Sequence, residues 1–107
     1  MTDTITKRSA AETEMGDKGQ KLLTAGANVA LRLWDEGEVH GKTPHAHDYE
    51  TVGYVIEGSA TLISGETKLD LRPGDSWHVP AGVEHAYAVD DHLKAIEATS
   101  PPARDAG

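Results

Sequence analysis

The chain has 107 residues, which suits one domain and leaves no room for a second. Its net charge of −8, from 10 basic and 18 acidic residues, opposes phosphate backbones and anionic lipid surfaces, so neither nucleic acid nor a membrane is an expected partner. Cysteine is absent, which excludes disulfides, thiolate catalysis and Cys-ligated metals and leaves only His and carboxylate side chains to hold a metal ion.

Phenylalanine is absent as well, so the bulky core positions fall to Leu, Ile, Val, Tyr87 and one of Trp34 or Trp77. Residues 1–20 are polar and of mixed charge, which predicts an N-terminal arm, with a short strand as an option. They lack the apolar stretch of a secretory signal, and no apolar run approaches a membrane span, so a cytoplasmic protein is expected. A barrel is expected over 21–101 and a polar tail over 102–107.

Within the barrel, short β-rich segments alternate with turn residues. Val29, Leu31 and Leu33 alternate with Ala30, Arg32 and Trp34 at period two. Thr51 to Glu57 is strand-like and Gly58 breaks it; Ala60 to Ile63 follows, then Ser64-Gly65 as a hairpin turn. Leu69 and Leu71 alternate with charged neighbours up to the turn Pro73-Gly74-Asp75. Ser76 to Val79, His85 to Val89 and Leu93 to Ala98 complete the set, and Pro101-Pro102 ends it. The nearest approach to a helical stripe is the short SAAETEM segment beginning at Ser9. Strands at this spacing with Gly/Pro turns predict an all-β sandwich or barrel.

Of six histidines, His40 and His92 read as inert surface residues. His45 and His47 stand two apart, so on a strand they share one face, about 7 Å from each other. Such a pair either converges on a cation or decorates a polar surface, and the pair alone leaves both open. Downstream, Gly74 to His85 (GDSWHVPAGVEH) brings another histidine after a tight turn. Together with Gly41 to Gly58 (GKTPHAHDYETVGYVIEG), this resembles the two motifs of the cupin superfamily. The first motif is matched by Gly41, His45, His47 and Gly58. The second is matched by Gly74, Pro80, Gly82 and His85, with Val89 where Asn often stands. The resemblance runs from about Leu31 to Pro101.

It implies a double-stranded β-helix, or jelly-roll, with one mononuclear site whose ligands are His45, His47 and His85. Imidazole suits Fe, Mn, Ni, Cu and Zn alike, so the donor type does not choose the metal. The position of the family's motif glutamate falls on Thr51, a poor ligand, and strand parity turns the neighbouring Glu50 to the opposite face unless the backbone bulges. Three neutral histidines leave a divalent ion its full charge, which favours anionic, chelating partners such as enolates and carboxylates. The implied activity is that of a metal-dependent dioxygenase or isomerase on a small molecule. The alternatives are a non-enzymatic small-molecule-binding module and a metal-poor structural barrel.

Tyr87 and His78 are the first candidates for proton transfer. Tyr87 shares a face with His85, with core packing as its other reading, whereas Trp77 and His78 point to opposite faces. Glu97 is expected in a surface salt bridge, with an imidazole N–H as the alternative partner. Val52, Tyr54 and Ile56 form an outward apolar row, which predicts a homodimer.

Overall fold

Short β-branched runs separated by glycine and proline turns form eight strands among the residues that the computed structural model describes, 5–16 and 19–103. They are β1 (Gln20–Ala25), β2 (Ala30–Glu36), β3 (Glu50–Gly58), β4 (Ala60–Ser64), β5 (Thr67–Leu71), β6 (Ser76–Val79), β7 (Ala86–Ala88) and β8 (Leu93–Ser100). All pairings are antiparallel, giving one sheet in the order β1-β2-β8-β3-β6 and a second in the order β5-β4-β7. This is the expected all-β jelly-roll. The expected arm and tail extend into 1–4, 17–18 and 104–107, which lie outside the described residues.

One strand, β1, was not foreseen. Its segment QKLLTA lacks a clear alternation, and it pairs with β2 alone at the sheet edge. Residues of the N-terminal segment lie against it: Arg8 Nη1 donates to the Leu22 carbonyl at 3.2 Å, and Lys21 Nζ to the Ala10 carbonyl at 2.8 Å. The SAAETEM segment supplies only a three-residue 3-10 turn, Ala10–Glu12. Among the described residues no helix is long and apolar enough to cross a membrane.

The core lies where the two sheets face each other. Val55, Trp77, Val79, Leu93 and Ala95 come from the larger sheet and Ala60, Leu62 and Leu71 from the smaller, with Val39 and Tyr87 packed against them. Trp77 and Tyr87 thus supply the aromatic bulk that phenylalanine would otherwise provide. β8 alternates strictly between buried and half-buried positions, so Leu93, Ala95, Glu97 and Thr99 all face inward. On β2 the same parity buries Ala30 and Arg32 and turns Leu31 outward. A strand wall bearing Arg32, Trp34 and Glu36 on its inner side therefore faces the interior at one end of the barrel.

The candidate pocket and its histidines

The loop between β2 and β3 carries His45 and His47, and backbone pairing brings it to the second motif segment. His45 and His85 form an isolated antiparallel bridge, with N···O distances of 2.9 and 3.0 Å. The Gly82 amide donates to the His47 carbonyl at 2.7 Å, and Val39 pairs with Val89 in a second bridge. Two segments nearly forty residues apart in sequence are thereby held side by side, and all three expected histidines line one cavity of about 170 Å³.

The rings are close but not tightly convergent. Ring centroids of His47 and His85 are 5.6 Å apart, edge to face, and those of His45 and His47 are 6.5 Å apart. With metal–nitrogen bonds of about 2.0–2.1 Å, two imidazoles on one ion hold their centres roughly 5 Å apart. The first separation approaches that value and the second exceeds it. Among the described residues, no group of three or more His, Asp or Glu side chains is set to hold a metal ion. The donor chemistry matches a metal more closely than the spacing does. His85 Nδ1 lies 2.9 Å from the Val83 carbonyl, which can only accept, so the neutral ring carries its proton there and keeps Nε2 as a lone-pair donor. His47 stacks face to face on Tyr49 at 4.7 Å.

Neither residue considered for a fourth ligand lines the cavity. Thr51 is buried between Val79 of β6 and Thr99 of β8. Glu50 points to the outer face, as parity required, where its Oε1 meets His78 Nε2 at 2.9 Å. His78 sits on the solvent side of β6, opposite Val52, because Trp77 takes the inward position. His40, near Glu38 and Asp90, and His92, 3.0 Å from Asp35, pair with surface carboxylates outside the cavity.

Tyr87 does line the cavity, and it also packs against the core. Its hydroxyl accepts from Trp77 Nε1 at 3.0 Å and faces Glu97 Oε2 at 3.5 Å. Burial, and then the negative charge of Glu97, pushes its pKa far above that of an ordinary phenol, so Tyr87 acts as a hydrogen-bond donor and not as a base.

Glu97 departs most from expectation. It is buried, and its Oε1 accepts from Arg32 Nε at 2.8 Å and from Trp34 Nε1; no imidazole bonds to it among the described contacts. Direct pairing of Arg32 with Glu97 across β2 and β8 places the two side chains together on the inner face. Burial opposes the Arg32 charge, but Glu97, and after it Tyr49, more than compensate, so its pKa is raised.

Three further cavity residues hold no motif position: Glu36, Lys42 and Thr43. Glu36 was visible through parity, since it continues the inner row of Arg32 and Trp34. Its carboxyl is held above the usual range, first by partial burial, with Lys42 opposing and the charge of Glu97 adding to the rise. Stability contributed by the protonated form is present below about pH 4.5 and is lost as the pH climbs through the raised value.

Comparison with known proteins agrees with this geometry. Residues 31–98 match the family model described as the cupin domain. Quercetin 2,3-dioxygenase of Bacillus subtilis is 41% identical over 49 residues, 45% of this chain but 14% of the relative. Acireductone dioxygenase 1 of Coprinopsis cinerea is 26% identical over 100 residues, 86% of this chain and 56% of the relative. The chain therefore spans only part of the length of either dioxygenase. Among solved structures, KdgF from Halomonas sp. superposes with a TM-score of 0.80 at 25% identity, covering 95% of this chain and 97% of that one.

Proposed function

The chain belongs to the cupin domain family, and from that premise we propose that it is a metal-dependent cupin acting on a small oxygen-rich molecule, of dioxygenase or isomerase type. His45, His47 and His85 are the residues that would hold one divalent transition metal: Fe, Mn, Ni, Cu or Zn. The observation that carries this reading is the backbone bridge joining His45 to His85, which lines one cavity with imidazoles from both motifs. Such a metal supplies Lewis-acid activation of a bound oxygen. The protein's own groups do the rest. Tyr87 stays protonated and orients an acceptor, Arg32 and Glu97 fix the inner wall, and Glu36 is the cavity carboxyl poised to hold or release a proton. This role for Glu36 replaces the one considered for His78.

Metal analysis of protein purified without an affinity tag tests the proposal. We expect close to one equivalent of transition metal, falling about tenfold or more in His45→Ala and in His85→Ala while both variants keep the wild-type circular dichroism. No metal after reconstitution would sink it. The loose spacing of the three rings favours a second reading, a metal-free small-molecule-binding barrel. That reading predicts ligand-induced thermal stabilisation without turnover.

We also propose a homodimer formed through the outer face of the larger sheet. Val52, Tyr54 and Ile56 are 50%, 49% and 42% exposed there, and register places Ala98 beside Val52, Leu31 on the far side of Ala98, and Ile96 beside Tyr54. A continuous apolar row of this kind is uncommon on a monomer. Light scattering after size exclusion should give twice the chain mass, and Tyr54→Lys should shift it to the monomer. A wild-type monomer at micromolar concentration would refute the dimer.

A further inference from the structure

A row of four side chains in contact runs from the cavity histidines to the buried wall. Tyr49, the residue before β3, is buried, and its ring lies against His47. The two ring centres are 4.7 Å apart and the planes differ by 4°, a parallel stack at favourable separation. Beyond Tyr49 comes Arg32, whose guanidinium carbon stands 5.6 Å from the Tyr49 ring centre and 5.1 Å from that of Trp34. Both distances are those of a cation held on an aromatic face. Arg32 Nη1 and the Tyr49 hydroxyl are each shut off from water and bond to no third group among the described residues. Interaction with Tyr49 helps keep Arg32 charged, so the two buried groups complement each other. Glu97 completes the row by pairing with Arg32 Nε at 2.8 Å.

We infer that Tyr49 is a positioning residue: its ring sets the plane of the His47 imidazole, and Arg32 holds Tyr49 in place. The inference rests on His47 serving as a metal ligand in the proposed function and names what keeps it ready. An imidazole offers its lone pair only in the ring plane. The torsion that turns this plane is broad for histidine, so an unsupported ring samples many orientations. His85 is aligned by the Val83 carbonyl at Nδ1. For His47 the buried Tyr49 face does comparable work, because one side of the imidazole rests on a ring that cannot move without disturbing Arg32 and Glu97. Ordering the ring before an ion arrives removes part of the entropy that binding would otherwise cost. Tyr49 does not line the cavity, so it acts through His47.

Two measurements on one set of proteins test this. In ¹³C-histidine-labelled, metal-free protein, the ring protons of His47, identified by their loss in His47→Gln, should lie upfield of an unstacked histidine because they sit over an aromatic face. Tyr49→Leu should return them to the ordinary position, and Tyr49→Phe should keep them upfield. Zn²⁺ affinity, measured by competition with a chelator, should fall about ten- to a hundredfold in Tyr49→Leu, the range for a group that orients a metal ligand. Tyr49→Phe keeps the ring and should retain most of that affinity. Leu62→Ala, a core change in the smaller sheet, is the control. It should lower stability and leave both readouts unchanged, which separates positioning from a merely structural role. Dispersed amide signals show that each variant is folded. His47 signals at the ordinary position in the wild type overturn the inference without recourse to any variant. A Zn²⁺ affinity unchanged in Tyr49→Leu, or falling as far in Tyr49→Phe, overturns it as well. A wild type that takes up no Zn²⁺ sinks the metal site of the proposed function, and the positioning of His47 is then decided by the ring signals alone.

Discussion

Replacing Glu97 with alanine is expected to lower the unfolding free energy by about 3–5 kcal/mol, the range for removing one partner of a buried ion pair. In a domain of this size that is a fall of roughly 15–30 °C in melting temperature. Glu97 is the sole carboxylate bonded to Arg32 among the described contacts, and it also receives the indole N–H of Trp34. Its loss strands a guanidinium that is almost wholly withdrawn from water and an indole donor beside it. The double variant Arg32→Met, Glu97→Leu should recover most of the loss, because two apolar side chains carry no desolvation cost. Urea denaturation of the three proteins decides the matter. A Glu97→Ala loss below about 1 kcal/mol, the range of an exposed pair, would mean that the pair is solvated in solution.

Gly58→Ala is expected to cost about 3 kcal/mol or more, from two sources that act at one residue. Its φ of +76° belongs to the left-handed region, which costs a residue with a side chain about 1–2 kcal/mol. An added Cβ would also stand 1.9 Å from the His92 carbonyl oxygen and 2.6 Å from its carbon, both backbone atoms that cannot rotate away. Overpacking of this kind adds about 1–3 kcal/mol. Gly58 ends β3 opposite Leu93, just past a register shift between Val55 and Glu57. The strain therefore enters the strand pair that carries the inner row of β8. Gly65→Ala is the control. Its φ is +59°, but an added Cβ meets nothing within 4 Å, so only the conformational cost remains. Equal losses in the two variants, measured by thermal unfolding, would show that the close approach at His92 contributes nothing.

Parity made several site features legible in advance. It turned Glu50 outward, and the structure has Glu50 paired with His78 on the solvent face. It left Trp77 and His78 undecided, because alternation says that two neighbours point apart without saying which is inside. The structure resolves this by packing Trp77 into the core and His78 against Glu50. Glu97 was misjudged for a related reason. An isolated charged residue on a strand reads as exposed, since its partner Arg32 lies 65 residues away and only the β2–β8 register brings them together. Glu36 follows the inner parity of β2, but Lys42 and Thr43 sit in a loop and hold no motif position, so nothing local marked those two as cavity residues.

The all-β class and the identities of the three cavity histidines were written in the sequence itself. Period-two alternation, turn glycines and two spaced histidine motifs are local properties that hold whatever the rest of the chain does. The tertiary structure alone decided what faces those histidines. Buried charge depends on which strands become neighbours and in what register, and pairing β2 with β8 opposes Arg32 to Glu97. That pairing turns the inner wall of the cavity from a hydrophobic surface into a charge-balanced, donor-rich one.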